Sequence, residues 1–319
     1  MNITLRIKNF PISFFSVVLG LLGLTIALQK AEMVFGWPQN IYQYFLYLTL
    51  TVFLIISVIY ITKIIKYPKE LKKEFLHPVK INFFPILAKI FLLLSIVFLE
   101  INMLGSRNLW FVGVALQLFF SLSILSVWIR HSSFKAHHLN PSWFMPIVGS
   151  VMVPIAGTAH GFVEISWFFF SVGLIMWLVL FTIVFNRLIF HDPVPDKLIP
   201  TLFITFAPPA IAFIAYIKLT SSLDPFARIL YYISLFLLIL IFTQAKMFLR
   251  LKFFLSWWAY SFPTAAVTIA TILIYHNTGF LFFKVLSFLL LGLLSLIIIF
   301  LIPKTIKAIY NKEICIEED

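Results

Sequence analysis

The sequence predicts an all-α membrane protein, and three observations support this fold class. First, the 319-residue chain is 62% hydrophobic and 11% charged and contains 38 phenylalanines, which is far from the composition of a soluble domain. Second, apolar runs of about 20 residues, the length that crosses a hydrocarbon layer, recur along the chain. Third, these runs lack the alternation of a transmembrane barrel, so helices that satisfy their own backbone hydrogen bonds are expected.

We predict ten membrane spans within one transmembrane domain that covers residues 1 to 319. The spans are residues 11 to 28, 41 to 62, 83 to 101, 109 to 129, 142 to 160, 164 to 186, 198 to 219, 226 to 247, 256 to 275 and 280 to 302. Residues 303 to 319 are predicted to form a cytoplasmic tail. The first span is too long for a cleaved signal peptide and lacks a small-residue cleavage site, so we expect it to be retained.

The basic residues are distributed unevenly between the two sides of the predicted bundle. The net charge is +12, and alternating the connections places eighteen Lys and Arg residues on the side of both termini and five on the other. The positive-inside rule then predicts that both termini are cytoplasmic. The excess charge is therefore explained by membrane topology, and we expect a lipid bilayer rather than nucleic acid as the partner.

Odd and even spans differ in composition. Short outer connections pair the spans into five hairpins, and Gly, Ala, Ser, Thr and Pro make up 38 of 98 residues in the odd spans but 20 of 111 in the even ones. All eight prolines within the predicted spans are in odd ones. They are Pro11, Pro85, Pro146, Pro154, Pro200, Pro208, Pro209 and Pro263.

This difference predicts an inner ring of five odd helices inside an outer ring of five even ones, in a quasi-fivefold arrangement. A proline inside a helix bends it and frees carbonyls that lipid cannot satisfy, so such helices belong around a cavity. The alternative is a solid bundle, in which small residues such as Gly20, Gly23, Gly149 and Gly157 only permit close packing.

The ionisable residues favour an anion over a cation in such a pathway. Lys89 is the one charged residue well inside a predicted span, and the buried carboxylates of proton- or sodium-coupled carriers are missing. Hydroxyl groups and the positive ends of broken helices add to this preference. The alternative for Lys89 is that its ammonium group extends to the cytoplasmic interface. No catalytic set or metal-ligand spacing is present, so we expect neither an enzyme nor a cofactor or metal site.

Four short motifs resemble one family of membrane proteins. They are HPVKINF at residues 77 to 83, NPSWFMP at 140 to 146, FAPPAIAFIAY at 206 to 216 and WAYSFPTAA at 258 to 266. In their order and in the ten-span layout, the chain resembles the tellurite-resistance and C4-dicarboxylate transporter family of the bacterial TehA type, to which plant slow anion channels also belong. The chain departs from the family pattern at Val18, where a proline is often found.

The resemblance implies an anion channel or facilitative anion transporter in a bacterial inner membrane, which carries small inorganic or dicarboxylate anions. It also implies a homotrimer with one pore per subunit, odd helices around each pore, and Phe262 as the residue that closes it. The alternative is a proton-coupled C4-dicarboxylate carrier or a tellurite-related carrier. The candidates for lining or bending the pore are Gly20, Pro85, Lys89, Pro154, Pro208, Pro209, Ser261, Pro263 and Thr264.

Overall fold

A computed structural model describes residues 3–38, 40–130 and 134–316, and these residues form helices without any β-strand. The ten principal helices are α1 (Phe15–Phe35), α2 (Ile41–Lys66), α3 (Ile86–Phe98), α4 (Met103–Arg130), α5 (Met145–Gly157), α6 (Val163–Phe190), α7 (Ala207–Thr220), α8 (Pro225–Thr243), α9 (Ser261–Thr278) and α10 (Leu281–Tyr310). Three short helices, Ile3–Lys8, Pro68–Leu76 and Ala245–Leu249, lie outside them.

The number of helices that can cross a membrane is close to the predicted ten. In the described part of the chain, nine helical segments are long and apolar enough to span a bilayer. The fifth predicted span corresponds to a shorter apolar segment, Pro141–Gly157. The all-α membrane fold is therefore confirmed, whereas the count of ten full-length spans is not reached by length alone.

The odd helices form a closed inner ring. Each of α1, α3, α5, α7 and α9 packs against the next, and α9 packs against α1. Each even helix packs against its odd partner, and α4, α6, α8 and α10 also contact the following odd helix. The outer helix α2 contacts the following odd helix, α3, through the rings of Phe53 and Phe91, whose centroids are 6.0 Å apart.

Burial separates the two rings. The apolar stretches of the odd spans are 67% to 94% buried, whereas the apolar stretches of the even spans are only 22% to 39% buried. In the shorter helix α5, every residue is buried. Exposed leucine, isoleucine and phenylalanine side chains cover the outer helices. The composition of the two span types therefore predicted the correct inner and outer positions, because only uniformly apolar helices can face lipid on one side.

Each odd helix begins with a 3₁₀ segment, which the sequence analysis did not predict. These segments are Ile12–Phe14, Lys80–Phe83, Pro141–Phe144, Asp196–Phe206 and Leu255–Tyr260. Several prolines lie where the 3₁₀ segment passes into the α-helix. Pro85 is the N-cap of α3, Pro208 and Pro209 lie in the first turn of α7, and Pro263 is the third residue of α9.

The expectation that these four prolines bend continuous α-helices is therefore corrected. A proline in the first turn of a helix costs little, because its missing N–H would have no intrahelical acceptor. Among the α-helical parts of the odd segments, Pro154 in α5 is the interior proline. The prolines thus mark where α-helical geometry begins at one end of the inner ring.

The helix bounds correct two further expectations. Because α10 continues to Tyr310, Pro303 lies inside an even helix, and Pro225 occupies the first position of α8. The rule that even helices contain no proline therefore holds only within the predicted bounds. Likewise, α1 continues to Phe35, so Glu32 lies in its last turn rather than in a loop.

The predicted tail is partly helical and partly packed on the protein. Residues up to Tyr310 belong to α10, and Cys315 is buried beyond it. Burial raises the pKa of the Cys315 thiol to about 11, against the opposing influence of Arg6 and Lys63. Arg6 also donates a hydrogen bond to the carbonyl oxygen of Ile309 at 2.8 Å. The two ends of the described chain therefore meet at the same end of the bundle.

A buried ion pair fastens that end of the bundle. Lys63 Nζ lies 2.6 Å from Glu74 Oε2, and both side chains are less than a tenth exposed. The other oxygen of Glu74 accepts the backbone N–H of Ile12 at 2.7 Å, and the Tyr60 hydroxyl donates to the carboxylate at 3.2 Å. Lys63 also donates to the carbonyl oxygen of Phe10 at 2.7 Å. The cluster joins α2, the short helix Pro68–Leu76 and the segment that enters α1.

Glycines allow the two rings to approach closely. A Cβ atom added to Gly173 of α6 would lie 2.9 Å from the backbone nitrogen of Val151 in α5 and 2.5 Å from its Cγ2. Gly113 of α4 packs against Leu92 of α3 in the same manner, since a Cβ atom added to Gly113 would lie 3.0 Å from the backbone nitrogen of Leu92. These contacts agree with small residues acting as close-packing positions between the helices of a hairpin.

We expect Gly173→Ala to lower thermal stability by about 1–3 kcal/mol, because the added methyl group would overpack a backbone contact that cannot rotate away. The matched control is Gly292→Ala in α10, where no heavy atom lies within 4 Å of the added Cβ. That control should be neutral or slightly stabilising, since alanine favours helix more than glycine does. Melting temperatures of both variants in detergent measure the difference, and equal values would contradict this packing role.

Candidate functional site

Phe262 lies where α9 enters the inner ring. It is the second residue of the helix, directly before Pro263, and follows the 3₁₀ segment that ends at Tyr260. Its side chain is buried, with 9% exposure. A Cβ atom added to Gly23 of α1 would lie 3.5 Å from Phe262 Cδ2. The phenyl ring therefore occupies space beside a position of α1 that has no side chain.

Gly20 and Ser261 lie at the closest approach of α1 and α9. A Cβ atom on Gly20 would lie only 2.2 Å from the Ser261 hydroxyl oxygen and 2.9 Å from Cε3 of Trp258. Ser261 itself donates a hydrogen bond to the carbonyl oxygen of Trp258 at 2.6 Å. Gly20 is therefore a close-packing position that holds α9, and with it Phe262, against α1.

The hydroxyl groups of α9 donate to their own helix. Thr264 Oγ1 donates to the carbonyl oxygen of Tyr260 at 2.7 Å, and Thr268 donates to that of Thr264 at 2.7 Å. A hydroxyl has one proton, so these groups present only oxygen lone pairs to the rest of the protein in this conformation. The expectation that hydroxyls help to attract an anion is thus not supported by their hydrogen bonds.

Lys89 is buried inside the bundle. It belongs to α3, is 1% exposed, and its ammonium nitrogen lies 3.3 Å from the sulfur of Met145 at the start of α5. A thioether is a weak acceptor, and none of the ion pairs among the described residues includes Lys89. The ammonium group does not extend to the aqueous interface, and it joins two neighbouring helices of the inner ring without a carboxylate.

The acidic residues that the structure describes lie at the ends of the principal helices or in the connections between them. The twelve Asp and Glu residues of the sequence are Glu32, Glu70, Glu74, Glu100, Glu164, Asp192, Asp196, Asp224, Glu313, Glu317, Glu318 and Asp319. Glu32, in the last turn of α1, accepts the backbone N–H groups of Asn40 and Tyr42 at 2.9 and 2.8 Å. It therefore caps the start of α2, and none of the acidic residues that the structure describes lies in the middle of a principal helix.

Gln117 is a buried polar residue that sequence reasoning missed. It lies on the outer helix α4 but is fully buried, and its amide donates to the carbonyl oxygen of Pro146 in α5 at 2.7 Å. Its Oε1 has no hydrogen-bond partner among the described residues. An amide inside an otherwise apolar even span was the available signal, because such a group must face protein rather than lipid.

His160 connects three helices at the opposite end from the termini. Its Nε2 lies 3.0 Å from the hydroxyl oxygen of Ser106 in α4, which donates to the carbonyl oxygen of Ser95 in α3 at 2.7 Å. Partial burial, together with the nearby charge of Arg107, lowers the pKa of His160. The imidazole is therefore expected to be neutral at neutral pH, and it serves as a hydrogen-bonding link at this end of the ring.

A closed ring of buried helices inside an outer ring that exposes apolar side chains is the architecture of a multi-pass membrane protein. Residues 9–306 match the model of the voltage-dependent anion channel family. The chain belongs to this family. The resemblance to TehA-type proteins and plant slow anion channels is thereby confirmed.

Relatives from plants, archaea and bacteria are similar to this chain. The S-type anion channel SLAH2 of Arabidopsis thaliana is 32% identical over 93% of this chain, which spans 59% of the plant protein's length. An uncharacterized transporter of Methanocaldococcus jannaschii is 30% identical over 97% of both chains. The tellurite resistance protein TehA homolog of Haemophilus influenzae is 25% identical over 95% of this chain and 94% of its own length.

Proposed function

We propose that this chain conducts small anions through the centre of the five-helix inner ring, as a channel or facilitative transporter, and that Phe262 closes the path. The observation that carries the proposal is the buried side chain of Lys89, which joins α3 to α5 and pairs with no carboxylate among the described residues. An unpaired buried cation is costly, so it is expected where an anion supplies the missing charge.

The distribution of acidic residues supports an anion over a cation. A cation path commonly carries rings of Asp or Glu, and coupled carriers use buried carboxylates as proton or sodium sites. Here the acidic residues within the described part of the chain occupy the ends of the principal helices and the connections. The names of the plant relatives, which are anion channels, agree with this choice.

The position of Phe262 supports its role as the closing residue. The other aromatic residues of the inner ring commonly pair with neighbouring rings, as Phe206 does with Phe203. Among the described residues, no ring pairs with Phe262, which lies against the side-chain-free position of Gly23. A ring that is buried yet unpaired can swing aside at lower cost than one that is locked by aromatic neighbours.

We further propose a homotrimer in a bacterial cytoplasmic membrane with both termini inside. The proposal rests on the family resemblance and on the excess of basic residues on the side of the termini. The hydrogen bond from Arg6 to the carbonyl oxygen of Ile309 supports a topology in which both ends of the chain lie on the same side.

Reconstitution in liposomes tests the function. We expect flux of chloride, nitrate or malate that follows the anion gradient and is indifferent to a pH gradient. Saturable malate uptake that requires a proton gradient would instead establish the coupled carrier, and flux of cations alone would contradict the proposal.

We expect Lys89→Met to reduce anion flux about tenfold or more, because it removes a buried charge while nearly preserving side-chain volume. Hydrogen bonds to charged groups contribute about 1.5–3 kcal/mol, and a tenfold change corresponds to about 1.4 kcal/mol. The matched control is Lys218→Met, which removes the same charge from an exposed position of α7. Equal flux in the two variants would place Lys89 outside the anion path.

A further inference from the structure

An open cavity of about 590 Å³ lies beside the start of α7, at the end of the bundle where the termini meet. One wall is formed by Asp196 and Ile199 of the 3₁₀ segment that precedes α7. The other wall is the connection between α8 and α9. It contributes Thr243, Gln244, Lys246, Met247, Arg250 and Leu251.

The cavity carries more positive than negative charge. Lys246 lies in the short helix Ala245–Leu249, Arg250 directly follows it, and both residues line the cavity. Asp196 is the one acidic residue in the wall. The three ion pairs among the described residues lie elsewhere and use neither Lys246 nor Arg250. Lys246 and Arg250, which form no ion pair with any described residue, therefore line a cavity large enough for a ligand headgroup.

The short helix directly follows α8, which is long and apolar enough to span a bilayer. Leu249 at its end is 84% exposed, although it follows a long apolar helix. Phe248 points the other way, and its ring centroid lies 5.3 Å from that of Phe203 and 5.9 Å from that of Tyr260. Beside the polar cavity, the short helix therefore exposes the side chain of Leu249 and packs the side chain of Phe248 against the protein.

We propose that this cavity binds the phosphate group of an anionic phospholipid. The planar guanidinium of Arg250 matches phosphate oxygens in pairs, and the Lys246 ammonium adds a mobile charge. Basic pockets at the helix ends of membrane proteins lie at the depth of the lipid phosphates. The exposed Leu249 beside the pocket provides the apolar contact that an acyl chain requires and a free phosphate ion does not.

The pocket is connected to the start of α9. Phe248 belongs to the connection that forms the cavity wall, and it contacts Tyr260, which lies two residues before Phe262. The Tyr260 hydroxyl is buried and has no hydrogen-bond partner among the described residues, so its position depends on ring packing alone. If Phe262 closes the anion path as proposed above, lipid bound in the cavity regulates flux through this contact.

The first test measures binding of short-chain phosphatidylglycerol to the full purified chain, with inorganic phosphate as a competing probe. We expect the double variant Lys246→Gln, Arg250→Gln to bind the lipid about thirtyfold more weakly. The matched control is Lys304→Gln, Lys307→Gln, which removes the same charge from exposed positions of α10 at the same end of the bundle. It should bind as the native chain does.

Equal weakening in both double variants would mean general surface attraction and would overturn the site. Binding of inorganic phosphate with the same sensitivity, in the absence of lipid binding, would overturn the lipid assignment and leave a soluble phosphate compound as the ligand.

The second test measures anion flux in phosphatidylcholine vesicles with and without phosphatidylglycerol. We expect Phe248→Ala to retain lipid binding while flux loses its dependence on phosphatidylglycerol. If flux through the Lys246→Gln, Arg250→Gln variant depended on phosphatidylglycerol as strongly as flux through the native chain, this would contradict regulation through the cavity. The binding test does not require flux, so failure of the proposed function and failure of the site are distinguishable.

Discussion

Phe262→Ala is expected to raise anion flux about tenfold or more. The substitution removes a phenyl ring from the buried start of α9, and the space opened lies beside Gly23, where α1 offers no side chain to refill it. A hydrophobic constriction limits conduction by excluding water, so a smaller side chain lowers the barrier, and a decrease of about 1.4 kcal/mol multiplies a rate by ten. Flux of chloride and nitrate into vesicles provides the measurement.

The matched control is Phe213→Ala in α7. Phe213 is fully buried, but its ring pairs with Tyr231 of the outer helix α8, with centroids 5.5 Å apart, so it faces away from the ring centre. We expect this variant to lose about 3–5 kcal/mol of stability without a rise in flux. A rise in both variants would indicate general loosening, and unchanged flux in folded Phe262→Ala would exclude this residue as the closing element.

Glu74→Gln is expected to destabilise the protein by about 3–5 kcal/mol, because it leaves the Lys63 ammonium buried beside a neutral amide. The carboxylate also holds the backbone N–H of Ile12, so the segment that enters α1 loses its anchor. A fall in melting temperature in detergent is the expected observation.

Glu70→Gln provides the matched control. Glu70 lies one turn earlier on the same short helix, and its carboxylate pairs at 3.2 and 3.8 Å with the more exposed Lys73 and Lys8. Surface pairs of this kind contribute about 0–1 kcal/mol, so the change should be small. Replacing both Lys63 and Glu74 by Met should recover much of the stability that Glu74→Gln loses, since no unpaired charge remains. Similar losses in the Glu70 and Glu74 variants would contradict the anchoring role.

The architecture of the two rings could be predicted because lipid imposes a simple rule on composition. A helix such as α10 is apolar on all sides and can face hydrocarbon, whereas α9, with its threonines and Pro263, cannot. The sequence did not reveal the 3₁₀ segments, because proline marks a break in α-helical geometry without indicating which geometry precedes it. Pro85 and Pro208 were therefore expected inside bends and are found at the starts of α-helices.

Buried polar contacts were harder to predict than helix positions. Lys63 and Glu74 lie beyond the predicted end of the second span in a stretch rich in lysine, where nothing in the sequence indicates that these two side chains pair. Their pairing depends on the short helix Pro68–Leu76 folding back under α1, which follows from tertiary packing rather than local pattern. For Lys89 the charge within an apolar span was visible, but its contact with Met145 depends on how α3 and α5 meet in the ring.

The 3₁₀ starts of the inner helices have a geometric consequence. A residue in 3₁₀ geometry advances about 2.0 Å and turns about 120°, whereas an α-helical residue advances about 1.5 Å and turns about 100°. Each residue that passes from one geometry to the other therefore shortens its helix by about 0.5 Å and rotates the end by about 20°. For Leu255–Tyr260, conversion of one residue to α-helical geometry would therefore shift and rotate the start of the helix that bears Phe262. Each helix of the inner ring is preceded by such a segment, whereas the principal outer helices of the described chain are not.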